Sequence, residues 1–163
     1  MVILSLDASM SSTGYAIFKN EELIKYGKIQ SKKNDFKDED SRLNYMCNII
    51  ENIIKEYKID KIICEDQFTS INSKTILSLR KLIGGIMRTA DHNNIDVKYY
   101  YPAQWRKILN INKGKSNDKK LAAYNYLLSQ GIDIGEFKTS GRFKVDDIVD
   151  SICIGIAFLK DKV

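Results

Sequence analysis

The chain of 163 residues contains one proline, one histidine and one tryptophan, and only three cysteines. Each shortage excludes something. A single histidine, His92, leaves no second imidazole for a Ser/His/Asp arrangement elsewhere. It sits in the polar turn Asp91-His-Asn-Asn94 and reads as a solvated loop residue. Cys47, Cys64 and Cys153 are odd in number, far apart and each embedded in an apolar run. They read as buried thiols in a reducing compartment, with the cytoplasm as the expected address, and not as a disulfide frame or zinc site. Pro102 is the lone proline, and no linker, repeat or low-complexity tract divides the chain. One domain spanning 1–163 is therefore expected, large enough to bury a core without disulfides. No apolar run approaches the roughly 20 residues of a membrane span. The first residues lack a basic segment and reach Asp7 too soon for a secretory signal.

What is present is an uneven distribution of charge. The net charge is +5. Between Pro102 and Lys144 there are nine Lys/Arg against three Asp/Glu, while the rest of the chain is balanced at 17 against 18. The surplus positive charge thus falls in one stretch, which suits an anionic polymer; a solvated, Lys-rich face is the plainer reading.

Hydrophobic periodicity organises the chain into an α/β pattern. Residues 2–6, 15–18 and 23–29 read as a three-strand meander. Asp38 to Ser41 offers helix N-caps, and Leu43, Met46, Cys47, Ile50, Ile53, Ile54 and Tyr57 follow helical spacing. Residues 61–65 form a buried strand ending in an acid, 72–90 a long helix, 97–101 a strand, and 116–128 and 145–159 two further helices. This order predicts a mixed five-stranded sheet, an antiparallel meander plus parallel strands, flanked by helices. It is the order of the ribonuclease H-like (RNase H-like) fold.

Four acids occupy unusual places. Asp7 and Glu65 each end a strand, directly after residues expected to be buried. If those strands are neighbours, the two carboxylates emerge side by side. Asp147 and Asp150 stand three apart near the start of the last helix, on one face. Asp146 lies about 100° around the same helix, so Asp147 is favoured over it as the partner of Asp150. Clustered carboxylates repel unless a cation neutralises them. Oxygen-only ligands suit a hard ion, Mg²⁺ with Mn²⁺ as a substitute. Two such ions about 4 Å apart can stabilise the attacking and leaving oxygens of a phosphodiester displacement. Each acid singly has a plainer role, as a turn former or a helix-end residue; the conjunction is what points to a metal centre.

Three segments then resemble the RuvC-type Holliday junction resolvases, and the phage-borne branch more than the bacterial one. Leu6-Asp-Ala-Ser-Met-Ser-Ser-Thr-Gly-Tyr-Ala-Ile17 is similar to that family's first strand, catalytic Asp and Ser/Thr-Gly turn. Ile62-Ile-Cys-Glu-Asp-Gln-Phe68 resembles its second acidic motif. Val145-Asp-Asp-Ile-Val-Asp-Ser-Ile-Cys-Ile-Gly-Ile-Ala157 resembles its closing helix. The resemblance implies Asp7, Glu65, Asp147 and Asp150 as catalytic metal ligands holding two ions. It also implies a homodimer that places two active sites on opposite strands of a four-way DNA junction. Phe68 would be the aromatic inserted near the crossover, its alternative being a core Phe beside the strand end. Lys107 and Lys119 fall near the family's basic positions around the active site, with ordinary surface lysine as the alternative. The family's usual Asp-Pro-Gly is Asp7-Ala-Ser9 here, which implies a less rigid turn. Pro102-Ala-Gln-Trp-Arg-Lys107 resembles a segment of phage and poxvirus resolvases, with Trp105 read as a packing residue.

The DNA surface is expected in three places: Lys74 at the start of the second long helix, Lys115 and Lys119 in the turn 113–120, and Arg142 and Lys144 in the loop 138–144. The Gly-Lys-Ser at 114–116 lacks the upstream glycine of a nucleotide-binding loop, so no nucleotide cofactor is expected. Competing readings are a broader fork and flap endonuclease, an actin-like or sugar-kinase-like ATPase fragment, and a catalytically inactive DNA-binding relative.

Overall fold

The computed structural model describes residues 1–66, 73–112, 114–137 and 145–161. Three antiparallel strands open the fold: β1 (Val2–Asp7), β2 (Ser12–Lys19) and β3 (Glu22–Gln30). Asn20 and Glu21 join β2 to β3, both at positive φ (50° and 74°), a handedness that matches the twist of the paired strands. A short 3₁₀ turn at Lys33–Asp35 leads to helix α1 (Glu39–Tyr57). The Asp38 side chain caps α1 by accepting from the Ser41 backbone N–H at 2.7 Å. Strand β4 (Lys61–Glu65), helix α2 (Ser73–His92) and strand β5 (Asp96–Tyr100) follow. Helices α3 (Pro102–Ile108), α4 (Ser116–Ser129) and α5 (Asp146–Asp161) complete the described chain.

The strand order is β3-β2-β1-β4-β5, with β4 parallel to β1 and β5 parallel to β4. This is the mixed five-stranded sheet the sequence predicts. Helices α2, α4 and α5 lie within two residues of their expected bounds, and β2 starts three residues earlier than expected; α3 is the element the periodicity did not show. Seven residues make only two turns, too few for a helical pattern to register, and Pro102 occupies the first position, where its missing N–H costs nothing.

Period-two alternation sorts the strand residues between two cores. Leu4, Leu6, Ile17, Ile62 and Cys64 pack under α1 and α2, with Met46, Ile50, Leu82 and Ile86 from those helices. Ile3, Ala16, Phe18 and Ile63 face the other way, onto α3, α4 and α5, with Trp105, Leu127 and Ile152. No described helix is long and apolar enough to cross a membrane.

Candidate active site

The same alternation delivers the first two acids. In β1 the positions sharing a face with Ile3 are Ser5 and Asp7; in β4, Glu65 shares one with Ile63. Leu6 pairs with Cys64 in the parallel ladder, so Asp7 and Glu65 come next on adjacent strands. Both therefore end on the face that α5 covers, at the C-terminal edge of the parallel strands.

Helix α5 brings the other two because small residues let it lie close against the sheet. A Cβ on Gly14 of β2 would stand 1.9 Å from the Asp147 carbonyl oxygen. A Cβ on Gly155 would stand 2.3 Å from the Phe18 ring. Between them the buried Ser5 hydroxyl donates to the Ser151 carbonyl at 2.7 Å, tying β1 to α5. With its backbone seated on Gly14, the first turn of α5 turns Asp146, Asp147 and Asp150 into one cavity with Asp7 and Glu65, of about 620 Å³. The helix N-terminus favours negative charge at these positions.

The Asp7 turn lacks the proline and glycine usual in the family it resembles, and other contacts tie it. The Thr13 hydroxyl donates to the Ser9 carbonyl at 2.7 Å and accepts from the Ser9 N–H at 3.1 Å. Arg42 Nη2 reaches the Ser11 hydroxyl at 3.0 Å.

Five acids in one cavity make its electrostatics unfavourable without compensation. Burial raises the Asp7 carboxyl well above the usual carboxylate range, and Glu65, Asp150, Asp147 and Asp146 add to the rise. Asp150 is pushed up to about 7, first by burial and then by Glu65, with Arg106 opposing. Two cations stand against the acids: Arg106 Nη2 lies 3.5 Å from Asp150 Oδ2, and Lys120 Nζ pairs with Asp146 Oδ2. Trp105, fully buried, donates its indole N–H to Glu65 Oε2 at 2.5 Å, and the Arg106 guanidinium lies 4.4 Å from the indole ring.

The donor set is all oxygen and includes a buried Asp150 Oδ1 with no hydrogen-bond partner. These features fit a hard divalent cation. Among the described residues no three potential ligands already stand as a preformed cage. The acids share a cavity, and a cation would draw them together against their mutual repulsion.

The structure thus brings together Asp7, Glu65, Asp147 and Asp150, as expected, and Lys74 lines the same cavity. Asp146 lines it too, but holds Lys120; Asp147 follows Asp150 in its effect on Asp7 and precedes Asp146. Lys107 is exposed and Lys119 half-buried, and neither is among the cavity's described lining. Their neighbours Arg106 and Lys120 are there instead, one residue or about 100° around each helix. Lys115 is exposed at the start of α4, its backbone N–H donating to Asp118 Oδ2 at 2.9 Å. Phe68, Arg142 and Lys144 lie outside the described residues. Trp105 packs in the core as expected; its bond to Glu65 was not legible in the sequence. His92 is exposed, Cys64 and Cys153 are buried, and Cys47 is half-buried.

Residues 3–156 match the family of crossover junction endodeoxyribonuclease RuvC. The chain belongs to the RuvC family. It is 32% identical over 109 residues to the crossover junction endodeoxyribonuclease RuvC of Rickettsia bellii, covering 66% of this chain and 69% of that one. The RuvC of Fusobacterium nucleatum is 28% identical over 163 residues, covering 98% and 80%. The solved structure of T. thermophilus RuvC in complex with Holliday junction substrate superposes with a TM-score of 0.76 at 12% identity, covering 99% of this chain and 94% of that one. RuvC membership over nearly the whole chain displaces the ATPase reading of the first strand and turn.

Proposed function

We propose that this RuvC protein is a structure-selective endodeoxyribonuclease that resolves Holliday junctions by metal-dependent phosphodiester hydrolysis. The observation that carries the reading is the seating of α5 on Gly14, which gathers acids from two strands and a distant helix into one cavity. Asp7, Glu65, Asp147 and Asp150 would hold Mg²⁺, with Mn²⁺ able to substitute, as two ions per site. When bound, such ions supply Lewis-acid stabilisation of the charge on the reacting phosphate oxygens.

The chain's own groups prepare the rest. Trp105 donates to one oxygen of Glu65 and so helps orient the carboxylate that lines the cavity. Arg106 and Lys120 balance the acids in the free protein, and both can turn to a phosphate once cations take over that task. Lys74 supplies a phosphate contact at the cavity wall, and Lys115 one on the approach to α4. Phe68, Arg142 and Lys144 remain proposed DNA contacts on the resemblance alone.

A homodimer would cut the two opposed strands of a junction symmetrically. Exposed Met87 on α2 is an apolar residue available for such a contact. The cytoplasm, where free thiols stay reduced, is the proposed compartment. A panel of end-labelled four-way junctions, forks, flaps and linear duplexes tests the substrate class. Paired nicks in the junction, abolished by EDTA, are expected; equal cutting of forks and flaps would favour the broader branched-DNA nuclease.

A further inference from the structure

A second hollow of about 320 Å³ lies beside the acidic cavity, its wall carrying Lys33, Lys37, Arg42 and Lys74 beside Phe36. Arg42, Lys74 and Ser78 line both, so the two spaces adjoin. Arg42 is a fixed ridge between them: its Nε donates to the Ser31 hydroxyl at 2.8 Å and its Nη2 to the Ser31 carbonyl at 2.8 Å.

The hollow also contains two acids, Asp38 and Glu39, and both are engaged. Asp38 accepts from the Ser41 N–H and hydroxyl at 2.7 and 2.6 Å. Glu39 accepts from the Ser78 hydroxyl and lies 3.4 Å from Lys81 Nζ, a cation outside the hollow's lining. The Lys37–Asp38 pair, at 3.7 Å with Lys37 84% exposed, is the weak kind that water screens. The hollow therefore presents surplus positive charge, although residues 31–42 lie outside the stretch where the sequence concentrates its basic residues.

A DNA strand with one phosphate at the acids must carry its neighbouring phosphates out across a wall of the cavity. On the α3–α4 side Arg106 and Lys120 already face Asp150 and Asp146. The α1–α2 side opens instead into this basic hollow. We propose that the hollow seats the phosphates flanking the scissile one on the cleaved strand, with Lys33 and Lys37 as their contacts. This rests on the nuclease reading of the acidic cavity. Contacts to phosphate carry charge but no base identity, so the hollow contributes affinity and not sequence preference.

The test is the salt dependence of binding to a fluorescent four-way junction, read by anisotropy in EDTA so that no cutting intervenes. The full-length parent is compared with the double variant Lys33→Ala/Lys37→Ala. The control is Lys55→Ala, in the last turn of α1 and roughly 24 Å along the helix from its start. The expected result is a log K against log salt plot whose slope is shallower in the double variant, by about one for each phosphate it no longer neutralises. The control should parallel the parent, and junctions of different sequence should be affected alike. A double variant whose slope matches a parent that does bind would overturn this inference alone. A parent that neither binds nor cuts the junction in Mg²⁺ would overturn the nuclease reading, and this inference with it.

Discussion

Glu65 is 4% exposed and gives one oxygen to Trp105, a bond between the chain's only tryptophan and a candidate metal ligand. A group that orients a ligand typically changes metal affinity or activity by 10–100-fold when removed. Trp105→Phe keeps most of the ring and loses the N–H. It should weaken Mn²⁺ binding, measured by electron paramagnetic resonance on folded protein, by roughly tenfold or more. Leu127→Ala, in the same core, should lower thermal stability while leaving Mn²⁺ affinity alone. Equal Mn²⁺ affinity in Trp105→Phe and the parent would leave the indole a packing role only. Residue-scale chemistry was partly legible in the sequence. Asp7 and Glu65 stand out because each follows an apolar run, and period-two alternation then dictates the face. Lys107 and Lys119 illustrate the limit. Neighbouring residues on a helix point about 100° apart, and the phase comes from packing, which here turns Arg106 and Lys120 inward.

At the scale of elements, the site depends on how closely α5 approaches the sheet. Gly14 reads in the sequence as part of a Ser/Thr-Gly turn, yet it lies within β2 and meets the Asp147 backbone. Nothing local announces that contact, since its partner is more than 130 residues away in the chain. Gly14→Ala must push the first turn of α5 outward, because the new methyl would stand 1.9 Å from a carbonyl oxygen. A stability loss of about 1–3 kcal/mol is expected from the overpacking, visible in urea melts. Junction cutting should fall far more than the folded fraction does, because Asp147 and Asp150 move with the helix. Retained cutting at the parent's rate would mean that the seating does not position them. Helix α3 was similarly hidden: two turns opened by a proline show no period, although they bring in both Trp105 and Arg106.

Across the whole molecule, the acidic centre links stability to pH and to cations. Asp7 and Asp150 have raised carboxyl pKa values in the folded protein, Asp150 to about 7, against about 3.9 in an unfolded chain. The folded state thus holds protons that the unfolded state releases between those values. The stability that Asp150 provides is fully present below about pH 4 and is lost as pH rises towards about 7, and the raised Asp7 acts in the same direction. In EDTA this contribution should make the protein melt lower at pH 8 than at pH 5.5. A cation binds the ionised carboxylates, so Mg²⁺ should raise Tm more at pH 8 than at pH 5.5. The rise should be about 5–10 °C at a hundredfold excess over its Kd. A Mg²⁺ effect that is larger at pH 5.5 would contradict the assignment of these acids to the cation.

Whether Asp7 belongs to a metal centre that cuts DNA junctions is tested most directly by one comparison. A synthetic four-way junction is incubated in Mg²⁺ with the parent or with Asp7→Asn, and nicked strands are resolved on a denaturing gel. Symmetric nicks are predicted from the parent and none from Asp7→Asn, whose amide keeps the shape but removes the charge. Cutting by Asp7→Asn at the parent's rate would contradict the metal centre.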